Sequence, residues 1–381
     1  EASPHHPVIL VHWTGYHCVL NSRAMEAAGI TAETASPAGG AIHRHPETGE
    51  PSGLISGRNA LVEQAVPPLS EDELERGLRL AAERYLSAGV TSVQDTTWSN
   101  GPGQWQRWQR FAGRGSMSLR LCMLAGAEAL EEFQRAGLSF GSGDSRLRLG
   151  GVKLALDEST GCLHPPQEDI NYHGLRAHEA GFSVAFHASD VYMLQASLSA
   201  IELVKERFPG AEHRHRLEHC AVCPPDLLPR LAASGAMVVT QPAFLYYYGG
   251  RYLDRAPPDE LASLYPLRSL LGQKVKIAGS SDSPMVPCNP LVGIYAAVTR
   301  KTETGRPLCP AEGVSPFEAL KMYTLQAAHA SFEEEAKGSI TPGKLADLVV
   351  LSDDPIHVAP EEIKDIRVRL TVLDGQVVWE G

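Results

Sequence analysis

Long apolar runs are missing from this chain of 381 residues. None approaches the roughly 20 consecutive apolar residues that a membrane-spanning helix needs, so no such helix and no membrane partner are expected. A dense Lys/Arg block is missing too: 34 basic residues stand against 45 acidic ones, for a net charge of −11. That balance argues against a nucleic-acid surface and for a small-molecule substrate. Cysteine is sparse and odd in number, seven in all, which fits a reducing, cytoplasmic setting and no disulfide framework. Cys220-Ala-Val-Cys223 has redox or zinc-knuckle spacing, but no second pair accompanies it. The glycine clusters around Gly39, Gly101 and Gly249 lack the strand-to-helix spacing of a phosphate cradle. An initiator methionine is also absent, so the expectation is that the true start lies upstream of Glu1.

What is present is a rhythm. Apolar segments at Gly89–Asp95, Leu119–Leu124, Arg148–Leu154, Phe182–His187, His215–His219, Ala236–Thr240 and Val275–Ala278 read as buried strands. Helical stretches such as 191–207 and 225–234 lie between most of them, and this alternation predicts a parallel α/β sheet. Lys153 to His187 is 34 residues, His187 to His219 is 32, and His219 to Asp282 is 63. Those intervals match the repeat of a (βα)8 barrel, about 30 residues per unit, with polar side chains recurring at the strand ends that face one mouth.

Seven strands are counted, the first sitting where strand two belongs. Before them, residues 7–29 read as a strand, a turn and a helix from Asn21 to Gly29, and 36–58 as a Gly/Pro-rich excursion with a hairpin at 47–51. Ser70 and Glu73 form a capping box for a helix running to about Ser87. After Asp282 come helices near 291–300 and 315–329, then a small β segment with a turn at Asp374–Gly375. The expected divisions are 1–69 as an excursion between barrel strands one and two, 70–335 as the barrel, and 336–381 as a β-sandwich appendage.

His215-Arg-Leu-Glu-His219 has two readings. On a helix both histidines would share a face, but the His-Glu-x-x-His order of zinc proteases is not met. As a strand, His215, Leu217 and His219 point to one side and the outer two lie roughly 13 Å apart, too far to share one ion. His219, before Pro224 and Pro225, then stands at the strand's end.

Together His187, His219, Lys153 and Asp282 make a hydrolytic metal site plausible, since imidazoles suit zinc and a carboxylate binds an ion or takes a proton. Each also has a plainer reading. A histidine at a strand end is commonly a hydrogen-bonded structural residue, Lys153 has Asp157 and Glu158 for ion-pair partners, and Asp282 sits in a sequence suited to an Asx-turn. His43-Arg-His45 reads as surface, and Phe244 to Tyr248 as either pocket lining or ring packing under a loop.

At Val19-Leu-Asn-Ser22, Gly151-Val-Lys-Leu-Ala-Leu-Asp157, Phe186-His-Ala188, His215-Arg-Leu-Glu-His219, Gly279-Ser-Ser-Asp-Ser-Pro284 and Gly338-Ser-Ile-Thr-Pro-Gly-Lys-Leu-Ala-Asp347, the chain closely resembles the amidohydrolase superfamily in its YtcJ-like branch, amidohydrolase family 3. The resemblance implies a TIM-like metal-dependent hydrolase barrel with a β-sandwich appendage. It also implies hydrolysis of a non-peptide carbon–nitrogen bond in an amide, formamide or carbamate, with one or two divalent ions, zinc first among them.

On that resemblance His187 and His219 are metal ligands, Lys153 is a carboxylated lysine or its equivalent joining two ions, and Asp282 binds the metal and activates the hydrolytic water. Asp95, Tyr16, His17, Phe244 and Tyr246 are the expected substrate contacts, and a homodimer is the expected assembly. The family's first strand ends in His-x-His, which nothing before Gly89 supplies. That gap motivates two alternatives, a non-catalytic small-molecule-binding relative and an inactive fragment; a lyase or isomerase on the same metal is a third.

Overall fold

The computed structural model of the chain describes residues 3–12, 17–36, 40–57, 60–157, 163–210 and 212–381. Its contacts divide into two units, Glu1–Leu74 and Glu75–Gly381.

In the first unit, β1 (Ile9–Val11), β2 (His17–Leu20), β3 (Gly40–Arg44) and β4 (Pro51–Gly57) form an antiparallel sheet in the order β1-β2-β4-β3. The expected 47–51 turn joins β3 to β4. Asn21 caps the helix Ser22–Ala27 by accepting the Ala24 N–H at 2.9 Å. Leu20, Ala24, Ile42 and Ile55 fill its core.

The second unit holds β5 (Ser92–Asp95), β6 (Arg120–Gly126), β7 (Leu147–Leu154), β8 (Val184–Ala188), β9 (Arg216–His219), β10 (Met237–Thr240) and β11 (Ile277–Gly279). They pair in sequential order and all parallel. Every residue of β6 and of β10 is buried, as expected for strands covered on both faces. Crossover helices such as Gln167–Glu179, Val191–Arg207 and Ala243–Arg255 supply the cover. Each of the seven expected strands is found. Several begin later than expected; β5 starts at Ser92 because Gly89, at φ +77°, first turns the chain out of the helix Glu71–Ser87.

The sheet curls. Arg216 on β9 donates to Gln94 Oε1 on β5, four strands away, which a flat sheet would hold about 19 Å apart. The result is a TIM-like half-barrel whose edges are β5 and β11; among the described residues no strand pairs between them.

A third sheet, β12 (Leu348–Leu351), β13 (Val368–Leu373) and β14 (Gln376–Glu380), is antiparallel and belongs to the same unit. Asp374 and Gly375 both have positive φ, +52° and +76°, as the expected two-residue hairpin requires. Buried Arg120, the first residue of β6, grips this sheet, donating to both Asp347 oxygens at 2.6 and 2.9 Å and to Asp374. The single helix expected over 315–329 is instead two, Pro316–Met322 and Leu325–Ala330. Thr324 breaks it at φ −123°, ψ −97°, its hydroxyl donating to the Leu320 carbonyl at 2.8 Å.

Candidate metal centre

β8 and β9 end side by side, and their last polar residues meet. His219 Nε2 lies 3.1 Å from His187 Nδ1, the ring centroids 4.4 Å apart. Behind them, His219 Nδ1 donates to Gln241 Oε1 at 2.9 Å, and Gln241 Nε2 donates to Ser280 Oγ at 3.0 Å. An amide oxygen only accepts, so the His219 proton sits on Nδ1 and the Nε2 lone pair is aimed at His187. This is the arrangement in which a metal-binding histidine is oriented from behind by a carbonyl.

The expectation that His215 and His219 share a side of the strand is corrected. His215 rests against Phe186 and His219 against His187, successive residues of β8 whose side chains leave opposite faces of the sheet. The alternation breaks because His219 takes a left-handed backbone, φ +72°. His215 is fully buried and its Nδ1 accepts the Val184 N–H at 3.0 Å, a structural bond.

Lys153, the penultimate residue of β7, is 6% exposed. Burial pushes its amine below the ordinary lysine value; Glu218 opposes that shift, Arg216 adds to it, and Asp282 opposes it. His187 is driven well below the usual imidazole value by burial and then by His219 and Lys153. Burial and Lys153 lower His219 as well, against Asp282, Glu218 and the Gln241 bond. Asp282, φ +52°, therefore lies within electrostatic reach of both Lys153 and His219. The cap of the helix that follows, Pro290–Thr299, is Asn289 and not Asp282. The hydrogen bond with Cys223 and burial both push the Cys220 thiol well above its ordinary value, away from the thiolate form.

Two imidazole nitrogens bound to one ion at about 2.0–2.1 Å and at 90–109° lie about 2.9–3.4 Å apart. The 3.1 Å separation of His187 and His219 fits that bite. Among the described residues no group of three or more His, Cys, Asp or Glu side chains converges as a complete ligand set.

The expected substrate contacts lie on different elements. Asp95 ends β5 with Oδ1 accepting the Thr97 N–H at 2.9 Å. His17 lies in the first unit, its Nδ1 2.9 Å from Ser56 Oγ, and His43 Nε2 meets the same hydroxyl at 2.7 Å. Tyr16 lies outside the described residues. Phe244 is buried among Val222, Leu264 and Val286, whereas Tyr246 turns toward Tyr295. Both belong to one cluster, Tyr246 at its partly buried margin, and they face different ways because the aromatic run is helix Ala243–Arg255. Tyr248, four after Phe244, shares its side, donates to the Met285 carbonyl and feels the Asp282 charge.

Sequence reasoning also missed Gln241, Glu218 and Arg216. The last two form a buried ion pair inside the half-barrel, and charges at alternate positions of an apolar strand were the signal for them.

A curled, all-parallel sheet with His187 and His219 at the carboxyl ends of neighbouring strands defines a TIM-like α/β scaffold. The Amidohydrolase family description matches residues 1–379, and the chain belongs to that family. It is 28% identical over 403 residues to the protein YtcJ of Bacillus subtilis (strain 168), covering 99% of this chain and 75% of that one. With the N-substituted formamide deformylase of Arthrobacter pascens identity is 29% over 408 residues, covering 100% and 74%. In fold it is similar to an uncharacterized metal-dependent hydrolase from Pyrococcus horikoshii OT3, with a TM-score of 0.76 at 21% identity, over 93% of this chain and 73% of that one.

Proposed function

We propose that the chain carries the barrel of a metal-dependent hydrolase for a small molecule with a non-peptide carbon–nitrogen bond, of the amide, formamide or carbamate type. The observation that carries this reading is the His187–His219 pair: two imidazoles at neighbouring strand ends, set at the bite of one ion and oriented by Gln241. Membership of the Amidohydrolase family and the name of one relative, N-substituted formamide deformylase, support the bond class.

His187 and His219 would hold the ion, with Asp282 beside them. A bound divalent ion such as zinc supplies Lewis-acid polarisation of the scissile carbonyl. Asp282 takes the proton of the attacking water on a carboxylate oxygen and returns it to the departing amine nitrogen. Burial biases Lys153 toward its neutral amine, the form whose nitrogen adds to the carbon of carbon dioxide, losing a proton, to give a carbamate. Such a carbamate would turn a cation into a carboxylate-like ligand for a second ion.

Asp282→Asn removes the proton acceptor with little change in size. Turnover of a panel of N-substituted formamides, amides and carbamates should fall by about 10²–10⁴-fold, while metal content measured on the purified protein stays largely in place. Unchanged turnover would sink the assignment. A second reading, a barrel that binds a small molecule without turning it over, is favoured by the incomplete ligand set among the described residues. Ligand binding with no product from any member of the panel, in metal-loaded protein, would decide for it.

A further inference from the structure

At the amino ends of β9, β10 and β11, opposite the histidine pair, a cavity of about 260 Å³ opens between the segments that enter these three strands. Its lining carries Arg214, Lys274 and Lys276 against one carboxylate, Glu212. In a chain of net charge −11 this is a local reversal of sign, and a concave site of one sign concentrates the opposite ion.

The cationic wall is held in place by bonds that leave charge to spare. Arg214 is fixed by Glu212 and Glu334, both at 2.7 Å, and lies 4.5 Å over the Phe332 ring. Lys276 Nζ donates at 2.9 Å to His329 Nε2, whose other nitrogen donates to Glu334 at 2.7 Å. The hydrogen-bond partner of Lys276 is thus a ring nitrogen and not an anion. His213 accepts the His215 N–H on Nδ1 at 3.1 Å and stacks on that ring at 4.5 Å. Its proton is therefore on Nε2, the nitrogen beside the pocket-lining Gly235. Below these donors the floor is apolar: Ala236, Met237 and Val275, all buried.

We infer that this cavity binds a small organic oxyanion, a carboxylate or phosphate group meeting Lys274, Lys276 and His213 while an apolar body rests on Met237 and Val275. The site lies at the end of the strands that the hydrolytic reading does not use, and it stands or falls independently of that reading.

Calorimetric titration of the full chain with benzoate, phenyl phosphate and inorganic phosphate at low ionic strength tests it. The expected result is saturable binding of at least one of the two aryl anions, weakened about 10–100-fold in the Lys274→Ala/Lys276→Ala double variant, the scale of losing charge-assisted hydrogen bonds. The stronger of the two aryl ligands tells a carboxylate site from a phosphate site. Both lysines are exposed, so the variant keeps its fold, which circular dichroism verifies. His219→Ala, altered at the other end of the strands, should bind the same anion unchanged; loss there would move the anion to the histidine pair and overturn the inference. So would equal affinity in the double variant, or no binding of any of the three at millimolar concentration. Inorganic phosphate bound as tightly as phenyl phosphate would overturn the role given to the apolar floor.

Discussion

The two ends of the seven-stranded sheet hold the same residue types in opposite circumstances. At the amino ends the imidazoles are committed: His215 Nδ1 to the Val184 N–H, His213 Nδ1 to the His215 N–H, His329 between Lys276 and Glu334. Arg120 there spends its guanidinium on Asp347 and Asp374. At the carboxyl ends His187 and His219 turn toward each other, and Gln241 is spent on aiming one of them. His215 and His219 lie four residues apart on one strand segment, yet one is packing and the other a candidate ligand. Residue identity does not separate the two roles; what occupies the lone pairs does.

On the proposed function, that contrast makes stability the province of one end and chemistry that of the other. The largest effect should come from Arg120→Ala, which leaves Asp347, 4% exposed, as an unpaired buried carboxylate and frees the third sheet. Breaking such a pair costs about 3–5 kcal/mol, readable as a lower urea midpoint, and should leave zinc affinity unchanged in whatever protein remains folded. An unaltered midpoint would break the comparison from the amino side.

Next in size is Gln241→Leu, which removes the acceptor behind His219. Zinc affinity, measured by chelator competition, should drop about 10–100-fold, the usual scale for the group that orients a metal-binding histidine. Gln241→Glu, whose carboxylate also accepts the Nδ1 proton, should recover most of it. Equal affinity in all three proteins would mean that Gln241 only fills space.

The parts of this arrangement that were legible in sequence are those fixed by local pattern. Apolar runs at intervals of about 30 residues gave the strands, Ser70 and Glu73 the helix start, Asp374–Gly375 the last hairpin, and the common phase of His187 and His219 the paired strand ends. The parts that stayed hidden depend on curvature and on backbone exceptions. Nothing in the sequence says that β9 faces β5 across the half-barrel, so the Arg216–Gln94 bond could not be read from it. The left-handed turn at His219 defeats the period-two rule that placed it with His215. Phe244 and Tyr246 face different ways because the aromatic run is helical, a form in which Tyr248 shares the side of Phe244. Gln241 carries no signal of its own, because an amide one residue past a strand acquires a role only when the neighbouring strand brings a histidine to it.

The smallest expected effect separates the two ends by pH alone. His215 is fully buried, its Nε2 has no hydrogen-bond partner among the described residues, and burial together with His213 and His178 holds its pKa well below the ordinary 6.5. In the unfolded chain the ring titrates near 6.5. As pH falls below that value the unfolded state takes up a proton that the folded state refuses, so stability declines with acid, by up to about 1.4 kcal/mol per pH unit for this one group. Urea midpoints at pH 7, 6 and 5 should therefore fall in sequence. His215→Asn keeps an acceptor for the Val184 N–H but removes the titration, and its midpoints should fall less steeply by that amount. Saturating zinc, held at the other end of the strands, should raise every midpoint without removing the difference in slope between the two proteins. If zinc erases that difference, the lone pair of His215 is not committed to the fold, and the division between the two ends of the sheet fails at the strand that shows it most directly.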